Sequence, residues 1–345
     1  MHSFFEQIAA KIPLIQAPMA GAQDEKLAIA VAGEGAVGSI ACARLKPDEL
    51  LASAQKFQSQ ASGPLNLNFF CHDVVLRDPS REVLWHQELN RYYNEFSLPQ
   101  TYPETVPVHA LDERMVEVVC RLKPAIVSFH FGLPDKTYVD RIRATGSKII
   151  ASATTLEEAI YLEAQGCDAV IAQGREAGGH QGVFLQPDQD VRFSTTELIE
   201  QMVSVLRIPI IAAGGIADAN LIRKMMNLGA AGVQVGTRFL KSPESTITST
   251  HRAILEGEEI RKTAITNVFT GRPARGFVNR IMKDVGPMNP HAQVFPFASS
   301  ALAPIATATK GSEDFVSLWA GQNWQIGDHM RASEIVKELS QGFTG

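Results

Sequence analysis

The chain has 345 residues, with 32 Lys and Arg against 37 Asp and Glu for a formal net charge of −5, and 45% of its residues are hydrophobic. At about 150 residues per domain that length admits two domains, or one α/β barrel of about 250 residues with an appendage. The composition excludes wholesale disorder, and mild acidity without a Lys/Arg block excludes a dedicated nucleic-acid binder or a polybasic membrane anchor.

Cys42, Cys71, Cys120 and Cys167 are far apart and form no CxxC pair, which points to reduced thiols rather than a disulfide framework or zinc site. The N-terminus has no basic region ahead of an apolar one, so no signal peptide is expected. The longest apolar stretch, 27–43, is broken by Glu34 and three glycines, so no membrane-spanning helix is expected either. The expected location is the cytoplasm.

Taken in chain order, short apolar runs fall at 14–17, 36–41, 65–69, 125–129, 148–151, 169–172, 209–212 and 232–236. Runs of four to six residues with little polar alternation describe strands buried on both faces, as in a parallel sheet covered by helices. Helical stretches lie between them. One starts at Thr154-Thr155 with glutamates in its first turn and stops at Gly166; another runs from Asp218 to Gly229. A third spans 134–144, with proline in its first turn and Gly146 past its end. This alternation predicts a (β/α)8 barrel of the TIM type over 1–245, with a doubly wound open sheet as the competing arrangement.

Two stretches break the repeat. Residues 71–122 form a polar excursion that includes His72, Trp85, His86, Tyr92 and Tyr93, expected to cover a face or build an interface. The βα pattern stops near residue 245, and 246–345 is expected to form a C-terminal, largely helical subdomain over the barrel mouth, part of it packing back on the barrel.

Barrel active sites lie at the C-terminal ends of the strands. Gly214-Gly215 leads into a helix and Gly236-Thr237 follows the next strand, a pairing suited to a phosphate. Asn68, Gln173 and Gln234 offer amides toward a polar heterocycle, and Met19 offers soft apolar surface. Flavin mononucleotide (FMN) needs this mixture, and a phosphosugar would use it nearly as well. His180, set among Gly178, Gly179 and Gly182, is the candidate catalytic residue, an imidazole expected to titrate near neutral pH. His130 lines the pocket or is a satisfied strand-end histidine, and Lys310 contacts substrate or is solvated. Glu176 is expected to tie its loop to a Lys or Arg, and Arg272 and Arg275 to meet an anion or the surface. No His and carboxylate spacing calls for a metal.

With these residues in place, the chain resembles the FMN-dependent nitronate monooxygenases, formerly 2-nitropropane dioxygenases. The matching stretches are Ala17-Pro18-Met19-Ala20-Gly21, Asn66-Leu67-Asn68, the run Gln173 to Gly182 with Glu176-Ala177-Gly178-Gly179-His180, Ala213 to Ile216, and Gln234 to Thr237. They arrive in order over about residues 12–240, with weaker likeness at Trp319 to Gln322. The resemblance implies that Asn68, Gln173, Gly178, Gly215 and Gln234 to Thr237 hold FMN and that His180 is the catalytic histidine. It also implies oxidation of alkyl nitronates such as propionate 3-nitronate by oxygen. One departure is the absence of tyrosine after Tyr161, where family members with well-described pockets carry tyrosines. Phe269, Phe277 or Trp319 would there supply apolar wall without a hydroxyl. The same loops also resemble FMN-containing enoyl-acyl-carrier-protein reductases and NADH:quinone reductases, so NAD(P)H docking over the flavin stays open, as does a homodimer. A non-catalytic flavin- or phosphate-binding barrel is the third reading, disfavoured by His180.

Overall fold

The computed structural model describes residues 3–73, 75–101, 108–186 and 192–344. The chain opens with α1 (Phe4–Gln7), β1 (Leu14–Gln16), α2 (Glu25–Gly33), β2 (Gly38–Ala41), α3 (Pro47–Gln60) and β3 (Leu65–Phe70). Next come α4 (Pro79–Glu95), α5 (Glu113–Leu122), β4 (Ile126–His130), α6 (Lys136–Arg143), β5 (Lys148–Ala153), α7 (Leu156–Ala164) and β6 (Ala169–Gln173). A two-residue β7 (Gly179–His180) precedes α8 (Thr195–Val203), β8 (Ile210–Ala213), α9 (Ala219–Asn227), β9 (Gly232–Val235) and α10 (Thr237–Leu240). The remainder holds α11 (Ser249–Glu256), β10 (Thr263–Thr266), β11 (Ala274–Phe277), α12 (Arg280–Val285), α13 (Ala298–Ala308) and α14 (Ala332–Ser340).

Every strand except β7, β10 and β11 joins one parallel sheet, in the spatial order β1-β9-β8-β6-β5-β4-β3-β2. Val37 closes the circle: its N–H donates to Leu14 O and its carbonyl accepts from Gln16 N–H, each at 2.9 Å. The eight apolar runs are thus the eight staves of a (β/α)8 barrel. They are continuous because both faces are buried. Leu67, Phe69, Val127, Phe129, Val170 and Val233 face the surrounding helices. Ile15, Val37, Ile150, Ile171 and Ile211 face inward, and Phe4 and Phe5 of α1 plug that interior. Phe5 lies against Gly232 at the start of β9, so the plug fills the N-terminal end and the opposite end stays open.

The helix signals act as capping chemistry dictates. Thr155 Oγ1 accepts from Glu158 N–H at 3.1 Å, and Asp218 Oδ1 accepts from Leu221 N–H at 2.8 Å. The third helix starts later than its sequence suggests: Asp135 caps α6, and Pro134 lies outside it.

The excursion is shorter than expected. Residues 113–122 are α5, the barrel's own helix between β3 and β4, packed on α3 and α6 through an amphipathic face of Met115, Val116, Val119 and Leu122. The true insertion carries α4, whose Trp85, Leu89, Tyr92 and Tyr93 enter one core with Met282, Leu302 and Ile305. Trp85 Nε1 donates to Ala298 O at 3.2 Å, and Tyr93 hydroxyl donates to Ala301 O at 2.8 Å, which pins α4 to α13. Residues 102–107 lie outside the described residues.

The part after residue 245 is mostly helical among the described residues, with α11 to α14, and adds two short strands. Its β10 and β11 form an antiparallel sheet completed by β7 from the barrel loop, with Ala274 opposite His180 and Arg275 opposite Gly179. Meanwhile α14 returns to pack on α2 and α9. No described helix is long and apolar enough to cross a membrane.

Because Trp85 is 1% exposed in the core that α4 shares with α13, its truncation leaves a large cavity. Trp85→Ala should lower unfolding free energy by about 3–5 kcal/mol, read from the denaturant midpoint.

Candidate functional site

A cavity of about 520 Å³ opens at the C-terminal ends of the barrel strands, under the residues that follow α11. Its lining brings together Met19, Asn68, His130, Gln173, Gly178, Gly179, His180, Gly214, Gly215, Gln234, Gly236 and Thr237. Lys310 is the exception. It follows the last turn of α13 in a left-handed conformation (φ +52°) and is exposed to solvent.

The turn after β8 is built for close approach. Gly214 and Gly215 have φ of +113° and +69°, the region that side chains disfavour. Thr195 Oγ1 lies 3.0 Å from Ala213 O and 2.9 Å from Gly214 O, anchoring both carbonyls on one side. In planar trans peptides the N–H points opposite the carbonyl, so Gly214 and Gly215 turn their N–H groups away from Thr195. Such successive donors form a nest for an anion. Thr237 Oγ1 accepts from Gly321 N–H at 2.9 Å, which leaves its own proton to give.

Two of the amides have free atoms. Asn68 Nδ2 donates to Ser128 Oγ at 2.9 Å, leaving its oxygen unengaged. Gln234 Oε1 is buried with no hydrogen-bond partner. An acceptor stranded in this way beside a cavity calls for a donor on a ligand. Gln173 is differently used: its Nε2 donates to His180 O at 3.0 Å and its Oε1 accepts from Gly182 N–H at 2.7 Å.

His180 has ring neighbours Phe70, Phe131, Phe295 and Trp319 at centroid distances of 5.8, 5.9, 5.6 and 5.7 Å. Burial among them, reinforced by His130 and Arg272, pushes its pKa down to about 3. The expectation of titration near neutral pH is therefore overturned in the free protein: His180 is a neutral imidazole. Its Nε2 lies 3.0 Å from Thr270 Oγ1, whose proton points to Arg272 O at 3.4 Å. Donation from Thr270 to Arg272 O is the arrangement in which Nε2 carries the ring proton. Arg272 itself stacks over Phe131 with its guanidinium carbon 4.3 Å from the ring centroid.

His130 is both things the sequence allowed. Its ring lines the cavity, yet both nitrogens are engaged, Nε2 with His180 O and Nδ1 with Ser152 Oγ, each at 3.1 Å. Burial lowers its pKa to about 4.

Other expectations resolve into structural roles. Among the described residues Glu176 makes no direct ion pair, although its charge acts on nearby Arg275; its carboxylate accepts from Thr195 N–H at 3.0 Å, beneath the glycine turn. Arg275 Nε donates to Arg175 O at 2.7 Å and so serves the backbone, not an anion. Phe269 and Trp319 line the cavity, whereas Phe277 packs on Trp324 outside it. Asn323 was not anticipated. Its Nδ2 donates to Gly215 O at 2.6 Å, and the weak likeness at 319–322 was the one signal near it. Thr270 and Arg44 also join the site unforeseen, Arg44 as a cavity-lining side chain after β2. Among the described residues no group of three His, Cys, Asp or Glu could hold a metal ion.

The comparisons with known proteins agree with one another. The sequence model of the family described as nitronate monooxygenase matches residues 2–342. A nitronate monooxygenase of Pseudomonas aeruginosa is 37% identical over 338 residues, 96% of either chain. Among solved structures, a nitroalkane oxidase from Streptomyces ansochromogenes superposes with a TM-score of 0.88 at 31% identity, covering 99% of both chains. FabK from Thermotoga maritima follows with a TM-score of 0.74 at 25% identity, over 99% of this chain and 96% of that one.

The buried histidines predict acid lability. His72, His130 and His251 are each held near pKa 4 and His180 near 3, burial being the first cause in every case. In the unfolded chain each returns to about 6.5. The unfolded state therefore binds more protons between those values, so the stabilisation is full above about pH 6.5 and is lost as pH falls toward 4. Denaturant midpoints taken from pH 7.5 to 5 should fall steadily, and His251→Phe should remove about one proton from the slope.

Proposed function

Because the chain belongs to the nitronate monooxygenase family, we propose that it oxidises alkyl nitronates with oxygen, using FMN held over the open end of the barrel. The observation that carries this reading is the convergence of the glycine turn, the amides and His180 on one cavity. Gly214, Gly215, Gly236 and Thr237 would meet the phosphate. Asn68 and Gln234 would meet the polar edge of the ring, with Gln173 behind them, and Met19, Gly178 and Gly179 would border the ring itself. A ring N–H would give Gln234 Oε1 the partner it lacks. When bound, FMN would supply an acceptor for the electrons of the nitronate, with oxygen as the final oxidant.

The residues of the chain do the rest. Phe70, Phe131, Phe295 and Trp319 set apolar surface around the half-buried ring of His180, which strengthens its interaction with any charge placed there. An anion beside the ring favours imidazolium, so His180 takes up a proton as a nitronate enters and then donates Nδ1–H to it. Thr270 fixes the ring through Nε2. A histidine held near pKa 3 is a weak base, so the nitronate anion suits this site better than its neutral nitroalkane. The runner-up is an NAD(P)H-dependent reductase, favoured by the likeness to FabK.

The deciding experiment is an absorption spectrum of the purified protein, recorded anaerobically before and after adding propionate 3-nitronate or butyl nitronate. Bleaching of an oxidised flavin spectrum supports the monooxygenase. A spectrum unchanged by nitronates but bleached by NAD(P)H selects the reductase, and no flavin after reconstitution with FMN removes the cofactor. His180→Ala should keep FMN at the wild-type ratio and lose about 100-fold or more in turnover, measured by oxygen consumption. Gly215→Val should purify without flavin. Its φ is +69°, and a Cβ there would sit 3.0 Å from Glu176 Cβ.

A further inference from the structure

The lining of the cavity is unbalanced in charge. Among the described residues it holds no Asp or Glu, and Arg44 and Arg238 are its only Lys or Arg side chains. Arg238 is paired, bonded to Glu338 at 2.9 Å and to the Asp328 carbonyl. Arg44 is not: among the described residues no hydrogen bond or ion pair engages its guanidinium.

Local structure fixes where that charge sits. Leu45 N–H donates to Cys42 O at 3.0 Å, so Arg44 lies exposed in the turn that follows β2, at the open end of the barrel. Its Nη1 lies over Gly21 in the loop after β1, so close that a Cβ there would come within 2.6 Å. Gly21 has φ +81°, and its missing side chain leaves the guanidinium a seat. In the barrel β1 separates β2 from β9, and two staves separate β2 from β8, so Arg44 stands on a different part of the rim from the glycine turn. Its field still reaches the site, acting on His180 with the same sign as that of Arg272.

Long-range attraction needs no contact. A chain of net charge −5 repels an incoming anion, and one unpaired cation at a mouth free of carboxylates reverses that locally. Resting on the nitronate reading for its substrate, we propose that Arg44 selects substrate by charge, drawing anions to the cavity mouth and speeding their capture without taking part in the oxidation. The attraction grows with the charge of the ligand, so a dianion gains more than a monoanion. Salt removes it, because the guanidinium is exposed.

Capture is read as kcat/KM, for ethyl nitronate with a single negative charge and for propionate 3-nitronate with a second one. At about 10 mM ionic strength Arg44→Gln should lower the first about threefold and the second about tenfold, while kcat changes little. At about 0.5 M salt both losses should vanish. Arg44→Lys should keep the wild-type values, and FMN should stay at the wild-type ratio in each variant. A second measurement needs no turnover. Of the three tryptophans, Trp85 and Trp324 are 1% and 4% exposed, so quenching of the holoenzyme reports Trp319 on the cavity. Quenching by iodide should drop about twofold in Arg44→Glu, with quenching by neutral acrylamide unchanged. Equal losses for both nitronates, losses that persist in high salt, or iodide quenching indifferent to Arg44→Glu overturn the proposal. Loss of FMN from Arg44→Gln also overturns it, by assigning the residue to the cofactor. Iodide quenching that follows the charge, with no nitronate oxidised by the wild type, sustains the steering and sinks the nitronate reading instead.

Discussion

The backbone carbonyl of His180 is where the molecule is tied together. Two barrel side chains donate to it, Gln173 Nε2 from β6 at 3.0 Å and His130 Nε2 from β4 at 3.1 Å. The same residue forms half of β7, which pairs with β11 and so joins the last hundred residues to the barrel. A carbonyl oxygen has two lone pairs, and here both are filled by side chains from different staves. The imidazole is thereby fixed in position relative to the barrel while its ring belongs to the aromatic enclosure above. His130 and Gln173 accordingly serve to position a catalytic candidate, and their own hydrogen-bonding capacity is largely consumed in doing so.

What the sequence made legible follows from which interactions are local. Apolar runs marked the eight staves because burial on both faces removes any need for polar alternation, and Thr155 and Asp218 marked helix starts because a cap bonds within three residues. Glycines at 214 and 215 were legible because positive φ is a property of the residue itself. The tautomer and charge of His180 were not. Its surroundings, Phe70, Phe131, Phe295 and Trp319, come from four distant stretches, and their summed desolvation is invisible to spacing. Short strands escaped for a related reason: β7 has two residues, and β11 reads Ala-Arg-Gly-Phe, so neither shows an apolar period. Of the two readings open for Lys310, the solvated one holds because the helix ahead of it ends at Ala308 and the left-handed turn that follows leaves the lysine exposed.

The division between barrel and cap is also a division of chemistry. Backbone donors and amides lie at strand ends, where parallel strands leave them oriented and the barrel holds them rigidly. Hydrophobic wall lies on α13 and the residues up to Trp319, which rest on the core shared with α4. An inserted segment thus determines how firmly the ligand-facing wall of another segment is held. The bonds of Trp85 and Tyr93 to the carbonyls of Ala298 and Ala301 add directional anchors to the apolar core that holds α13 at the barrel mouth.

Three further bonds make the two halves order together. Asn323 donates to Gly215 O, Gly321 donates to the Thr237 hydroxyl, and Gln322 N–H donates to Glu176 O at 2.9 Å. Each links residues 321–323 to a loop at the open end of the barrel. Gly178 makes the fit possible, since a Cβ there would come within 2.6 Å of Gly321 N. The bonds that hold residues 321–323 on the barrel are therefore the same bonds that engage the carbonyl of the glycine turn and the hydroxyl of Thr237.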